Sequence, residues 1–374
     1  MKEVKNILLL LIALFAVGCT QTIIFEDVNT PTPTPTPEPD FDDSTATDLS
    51  AEGTANCYLV KTTGKYKFKA VKGNSTQSVG AASSADVLWE SFGTSTTPNE
   101  GDLIASAIYK DGYVYFATPN TFKSGNASIA VRDTSGTILW SWHIWCSAEG
   151  WTDDIYPNNA GTMMDRNLGA TSATPGSVGA LGLMYQWGRK DPFLGSSSIS
   201  SDTLVASTGS WNTVSSPSSM DYAEENPTTF INSNWYGGSV PGNGWHTSES
   251  AKGLYDPCPV GYRVPDGGKN GFWATALGTS SSTSTGTKWD STNSGRHWTL
   301  ADGMTAAWYP AVGFSALDGD GSLYLVGSSG KYWSASPVPS SSYDAYDLNF
   351  NDDYVRPAFD SHRSCEQSVR CVRE

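Results

Sequence analysis

The strongest constraint on this chain lies in its last third, where two cysteines bracket a long, turn-rich segment. Residues 255–265 read YDPCPVGYRVP and residues 365–374 read CEQSVRCVRE. The first places Cys258 in a proline-flanked turn ahead of a short strand, and the second places Cys371 in an expected terminal strand over 368–372. A bridge between them closes a loop of 113 residues. In the chain-entropy picture such a closure stabilises the fold by ~4–5 kcal/mol, less any strain. The alternative is two unrelated buried thiols. The bridge is preferred because the N-terminus directs the chain to an oxidising compartment.

That N-terminus reads MKEVKNILLLLIALFAVGC. Lys2 and Lys5 precede an apolar run over 7–17, which has signal-peptide length and is too short for a permanent span. Small residues then lead directly into Cys19, as in a bacterial lipobox. In lipobox proteins the peptide is cut before the cysteine, which receives lipid. On this pattern residues 1–19 are a lipoprotein signal and Cys19 is the attachment point to a membrane. Each buried CH₂ of such a lipid contributes about 0.8 kcal/mol to anchoring. Residues 20–50 form a tether containing PTPTPTPEPD. Proline at alternate positions blocks helix and ladder and favours polyproline II, so at about 3.1 Å per residue this run holds a domain roughly 30 Å from a surface.

Over the whole chain, 14 Trp, 37 Gly and only 16% charged residues describe a turn-rich β profile able to build packed cores. The net charge of −15, with no basic run after the signal, argues against nucleic acid, whose phosphates demand clustered Lys and Arg. With Cys19 assigned to lipid, five thiols remain: Cys57, Cys146, Cys258, Cys365 and Cys371. Cys57 and Cys146 form a second pair only if their strands are neighbours. There is no CxxC, and the four histidines are scattered, so no zinc site is expected and no cofactor is implied.

Residues 51–150 read as strands throughout: 56–60, 66–71, 87–92, 103–109, 113–117, 127–132 and 138–146, with turns at Lys110-Asp111-Gly112 and residues 133–136. YKFKAV alternates ring or aliphatic with lysine, the pattern of a strand with one wet face. ILWSWHIWC, over 138–146, is apolar on both faces and therefore central or covered by the next domain. Short strands at this spacing predict an immunoglobulin-like β-sandwich. Residues 151–374 carry weaker periodicity: a short helix over 181–187, a long loop over 195–219, a helix over 271–277, and strands near 298–300, 307–312, 331–336, 345–350, 355–357 and 368–372. The whole is expected to be mainly β with some α.

Taken in order, CPVGYRVP, the segment GSLYLVGSSGKYWSAS over 321–336 and SVRCV resemble the Fibrobacter succinogenes major paralogous domain, a C-type-lectin-like module of surface lipoproteins in Bacteroidota. MMDRNLGA, YQWGRKDPF and ENPTTFI fit the same type, so the resemblance covers about 162–374. It implies an α+β lectin-like domain following the sandwich, outer-membrane anchoring, and an adhesin or pilus-tip role with an extracellular glycan, protein or pilus subunit as partner. The lectin calcium motifs are absent, so calcium-dependent sugar binding is not carried over.

No phosphate loop or GxSxG elbow occurs, and no catalytic residue is assigned. Asp318-Gly319-Asp320 and Asn351-Asp352-Asp353 read as turns before cation sites. The best ligand candidates are Trp235, Tyr236, Trp245 and Trp308, large rings on or near Gly-rich loops, which either stack on a ligand or plug the loops onto the core. Two rival functions stand beside this one: an enzyme of the formylglycine-generating type, which shares the lectin-like fold and uses a reactive thiol pair, although Cys365 and Cys371 are six apart, a spacing that strand geometry does not readily bring together, and a purely structural pilin or spacer module.

Overall fold

Alternation of rings with lysines sets the strand Lys65–Lys69. In Lys65–Lys69 the lysines at the ends are exposed while Tyr66 and Phe68 are buried. This strand pairs antiparallel with Tyr113–Ala117, which in turn pairs with Ser106–Lys110 through a tight hairpin. The hairpin turns at Asp111 and Gly112, whose φ angles of 51° and 81° match the primed turn that the strand twist requires. The computed structural model describes residues 45–215, 219–232, 244–245, 251–316 and 321–374. Trp235, Tyr236, Cys19 and the tether up to residue 44 lie outside them.

The short strand Thr47–Asp48 completes this first four-stranded sheet. A second is ordered Cys57–Val60, Ile138–Cys146, Gly125–Arg132, Ser84–Ser91. The two meet through rings: Phe68 of the first sheet stacks on Tyr58 at 4.6 Å and tilts against Trp142 at 5.0 Å. Ile138–Cys146 is interior to its sheet, and its other face is also covered. There Trp145 donates its indole N–H to the Ala170 carbonyl and stacks on Trp151 at 5.4 Å. His143 donates from Nε2 to Asn126 Oδ1, and burial pushes its pKa down to about 3.

Expected divisions shift at this point. Phe41–Glu374 form one compact unit, and a single hydrophobic cluster runs from Cys57 to Cys371. The boundary expected at residue 150 therefore falls inside a shared core. Polar groups also cross it. Asn56 donates to the carbonyls of Leu254 and Asp256, each at 2.9 Å. Lys190 Nζ, under the Trp140 ring, bonds both Asp191 and Ser141 at 2.6 Å. A buried charge is tolerated only where it is paired and hydrogen-bonded, as Lys190 is.

The remaining chain builds smaller sheets, so the protein is mainly β. Among the described residues the α-helices are two short ones, Met220–Glu225 and Phe272–Leu277. The second was expected; it ends on Gly278 in the left-handed region. The short helix expected over 181–187 is instead a strand, Met184–Gln186, paired antiparallel with Glu366–Ser368. The expected terminal strand is broken. Ser368 belongs to the seven-stranded sheet, whereas Val372 pairs with Met163 and Arg263 in another. Between them the Arg370 guanidinium is buried, stacked on Tyr309 at 3.8 Å and donating to Asn167 Oδ1 and the Trp308 carbonyl.

Cys258 and Cys371 form a disulfide with Cα atoms 6.0 Å apart, and both residues are fully buried. Asp256 organises the turn that carries Cys258. Its carboxylate accepts from the Cys258 and Val264 N–H groups and pairs with Lys252, which also reaches the carbonyls of Cys258 and Tyr262. The bridge thus ties an internally braced turn to the residue that precedes the last strand.

Cys57 and Cys146 do not form the second pair. Their strands are neighbours, but the parallel register sets Cys57 opposite His143 and Cys146 opposite Val60. Both thiols are buried, and burial raises their pKa values, that of Cys146 to about 12.

Candidate functional site

Two of the four proposed ligand rings can be placed, and neither presents a face to solvent. Trp245 is 1% exposed, with its indole N–H bonded to the Arg189 carbonyl and its ring 6.0 Å from Trp187. Trp308 is also buried, 4.8 Å from the His297 ring. For both, plugging onto the core overrides stacking on a ligand. The sequence signal, a large ring beside glycines, is the same in either case.

The turn at Asn351 is not a cation loop. The Asn351 side chain accepts from the Asp353 and Tyr354 N–H groups, while Arg296 donates to the Asn351 and Asp352 carbonyls. Asp318 and Asp320 lie outside the described residues. Among the described residues no cluster of His, Cys, Asp or Glu could hold a metal, and no helix is long and apolar enough to cross a membrane. The thiol pair that a formylglycine-type enzyme would need is not available at Cys365 and Cys371, because the Cys371 sulfur is committed to Cys258.

The residues do converge on one aromatic pocket of about 130 Å³ that no sequence motif announced. Its aromatic and acidic walls come from four distant stretches. Phe193 follows the buried run Arg189-Lys190-Asp191, Trp211 precedes the strand Asn212–Val214, and Phe230 sits in the parallel partner strand Thr229–Ile231. Glu366 comes from the strand Glu366–Ser368. Phe193 contacts Trp211 at 5.9 Å and meets Phe230 edge-on at 6.3 Å. Trp211 is only partly buried, with its indole N–H held by Ser207 Oγ. Leu204, 44% exposed, stands at the rim.

Gln186 and Arg189 fix this geometry. The Gln186 amide donates to the Ile231 and Ser364 carbonyls, and its oxygen accepts from the Arg189 guanidinium and the Ile231 N–H. Arg189 also donates to the Thr229 and Asn226 carbonyls and lies over the Phe193 ring at 4.9 Å. These bonds clamp the Thr229–Ile231 strand against Met184–Gln186, which Glu366–Ser368 flanks on the other side.

Glu366 is 2% exposed and lines the pocket. Its carboxyl has no hydrogen-bond or ion-pair partner among the described residues. Burial pushes its pKa up to about 8, against the opposing pull of the Arg189 guanidinium. At neutral pH it is therefore mostly a neutral carboxyl, able both to donate and to accept.

Compared with protein-family models, curated proteins and solved structures, the chain matches none.

Proposed function

We propose that the chain is a lipid-anchored, non-catalytic protein of the outer cell surface whose folded head binds an extracellular glycan or protein, in the manner of an adhesin or a pilus-tip component. In this reading Cys19 carries the lipid, the part of the expected tether that precedes the sheet strand Thr47–Asp48 holds the head clear of the membrane, and the head combines an immunoglobulin-like sandwich with a C-type-lectin-like part. The observation that carries the reading is the buried Cys258–Cys371 bridge in a chain that opens with a lipobox-like segment. Structural disulfides persist in exported proteins and are rare in reducing compartments. The long irregular stretches between short strands also support it, since loops positioned by a rigid scaffold are where binding surfaces concentrate.

The test uses the full chain purified in detergent, applied to glycan arrays, mucin, matrix proteins and pilus subunits. Saturable binding to at least one of these is the expected result. Absence of binding to all of them overturns the recognition role.

A further inference from the structure

We propose that the pocket between Trp211 and Glu366 is a site for a single uncharged, hydroxyl-bearing ring, that is, one neutral sugar residue of a glycan. This deepens the recognition role proposed above and rests on it. The aromatic walls set the first requirement. Phe193, Trp211 and Phe230 surround the space, and the apolar face of a pyranose is a ligand surface that packs on rings while its hydroxyls stay polar. The volume sets the second. At about 130 Å³ the pocket falls well below the roughly 300–1,000 Å³ of sites for drug-sized ligands, so it takes one small ring and not an extended chain.

Charge sets the third requirement. The Arg189 guanidinium over Phe193 already places a buried positive charge beside the pocket, and it repels a second cation such as an ammonium group. That guanidinium is held by Gln186 and two backbone carbonyls, so it is not aimed at an incoming anion. Among the described residues no cationic side chain lines the pocket and Glu366 is its one acidic group, so an anionic ligand would be desolvated there with no counter-charge at the wall. An uncharged ligand avoids each of these conflicts. Glu366 gives the ligand its orientation: a buried carboxyl without a protein partner is costly, and a sugar hydroxyl satisfies it with one bond donated and one accepted.

The experiment titrates the full chain in detergent with glucose, galactose, mannose, fucose and N-acetylglucosamine, and in parallel with choline and glucuronate, following saturation-transfer NMR and tryptophan fluorescence. At least one neutral sugar should bind with a Kd on the order of millimolar, typical of a contact worth about 4 kcal/mol, and neither charged probe should compete. Trp211→Ala and the isosteric Glu366→Gln should each weaken that binding tenfold or more. Leu204→Trp, a rim substitution outside the packed core, should block it while thermal unfolding stays as in the wild type. The proposal is overturned if no neutral sugar binds, if choline or glucuronate binds better, or if binding persists in the Leu204→Trp chain. Mucin or array binding that survives all three substitutions sinks the pocket and leaves the wider recognition role standing. Loss of array binding with retained monosaccharide binding does the reverse.

Discussion

Replacing Cys258 and Cys371 together by alanine removes the bridge without leaving a stray thiol, and its cost can be worked from the chain. The bond closes 113 residues. For a loop of that length the chain-entropy relation gives ~4–5 kcal/mol of destabilisation at 25 °C. Both sulfurs are fully buried, so the cavity left by their removal adds to this. For a unit of more than three hundred residues, at about 2 °C per kcal/mol, the thermal midpoint should fall by roughly 10 °C. Urea unfolding followed by tryptophan fluorescence measures the difference directly. Cys57→Ala serves as the control: it deletes one buried sulfur and no bridge, and should cost only about 1 kcal/mol. Dithiothreitol should leave the folded wild type oxidised, since the bridge is out of reach, and should reduce it once urea opens the chain. A double variant within about 1 kcal/mol of wild type would show the loop-closure argument to be wrong, because the bridge would then hold nothing that local packing does not hold already.

Three further outcomes are expected. Cys19→Ala should abolish metabolic incorporation of palmitate and move the chain out of the membrane fraction. Glu366 has a folded pKa of about 8, above its unfolded value, so its contribution is fully present below about pH 4.5 and is lost as pH rises through 8. Glu366→Gln should therefore raise stability at pH 8 relative to wild type, by about 1.4 kcal/mol for every factor of ten by which folding weakens the acid, and change little at pH 4, as read from urea midpoints. Lys190→Ala leaves the Asp191 carboxylate buried with only Ser141 as partner and should cost about 3–5 kcal/mol in the same assay.

Seven of the first eight strands were legible because their signals are local; the eighth, Thr47–Asp48, fell inside the expected tether 20–50 and owes its identity to pairing with Tyr66 and Lys67. Lysines flanking Tyr66 and Phe68 mark a one-sided strand, and Asp111-Gly112 is written for a hairpin. Elsewhere the deciding contacts are distant. LGLMYQW is apolar on both faces, so its period cannot separate helix from strand. Its identity comes from Glu366–Ser368, about 180 residues on. The terminal strand breaks because Arg370 turns inward onto Tyr309, which no pattern in SVRCV announces. Register, not strand adjacency, keeps Cys57 from Cys146, and a three-residue offset is invisible before pairing is known. The pocket was illegible for the same reason: Phe193, Trp211, Phe230 and Glu366 come from four stretches, and nothing in any one of them points to the other three. A usable signal was Arg189-Lys190-Asp191 lying between Trp187 and Phe193, since three consecutive charges among rings must be either solvated or specifically held.

Protease shaving of intact cells tests most directly whether a lipid at Cys19 moors this disulfide-braced head outside the cell. Brief digestion that leaves a periplasmic marker whole should cut the tether and release a soluble, oxidised fragment that begins ahead of the strand Thr47–Asp48. A chain that stays intact until the outer membrane is broken, or that is recovered reduced from the cytoplasm with Met1 still in place, would mean that no such mooring exists.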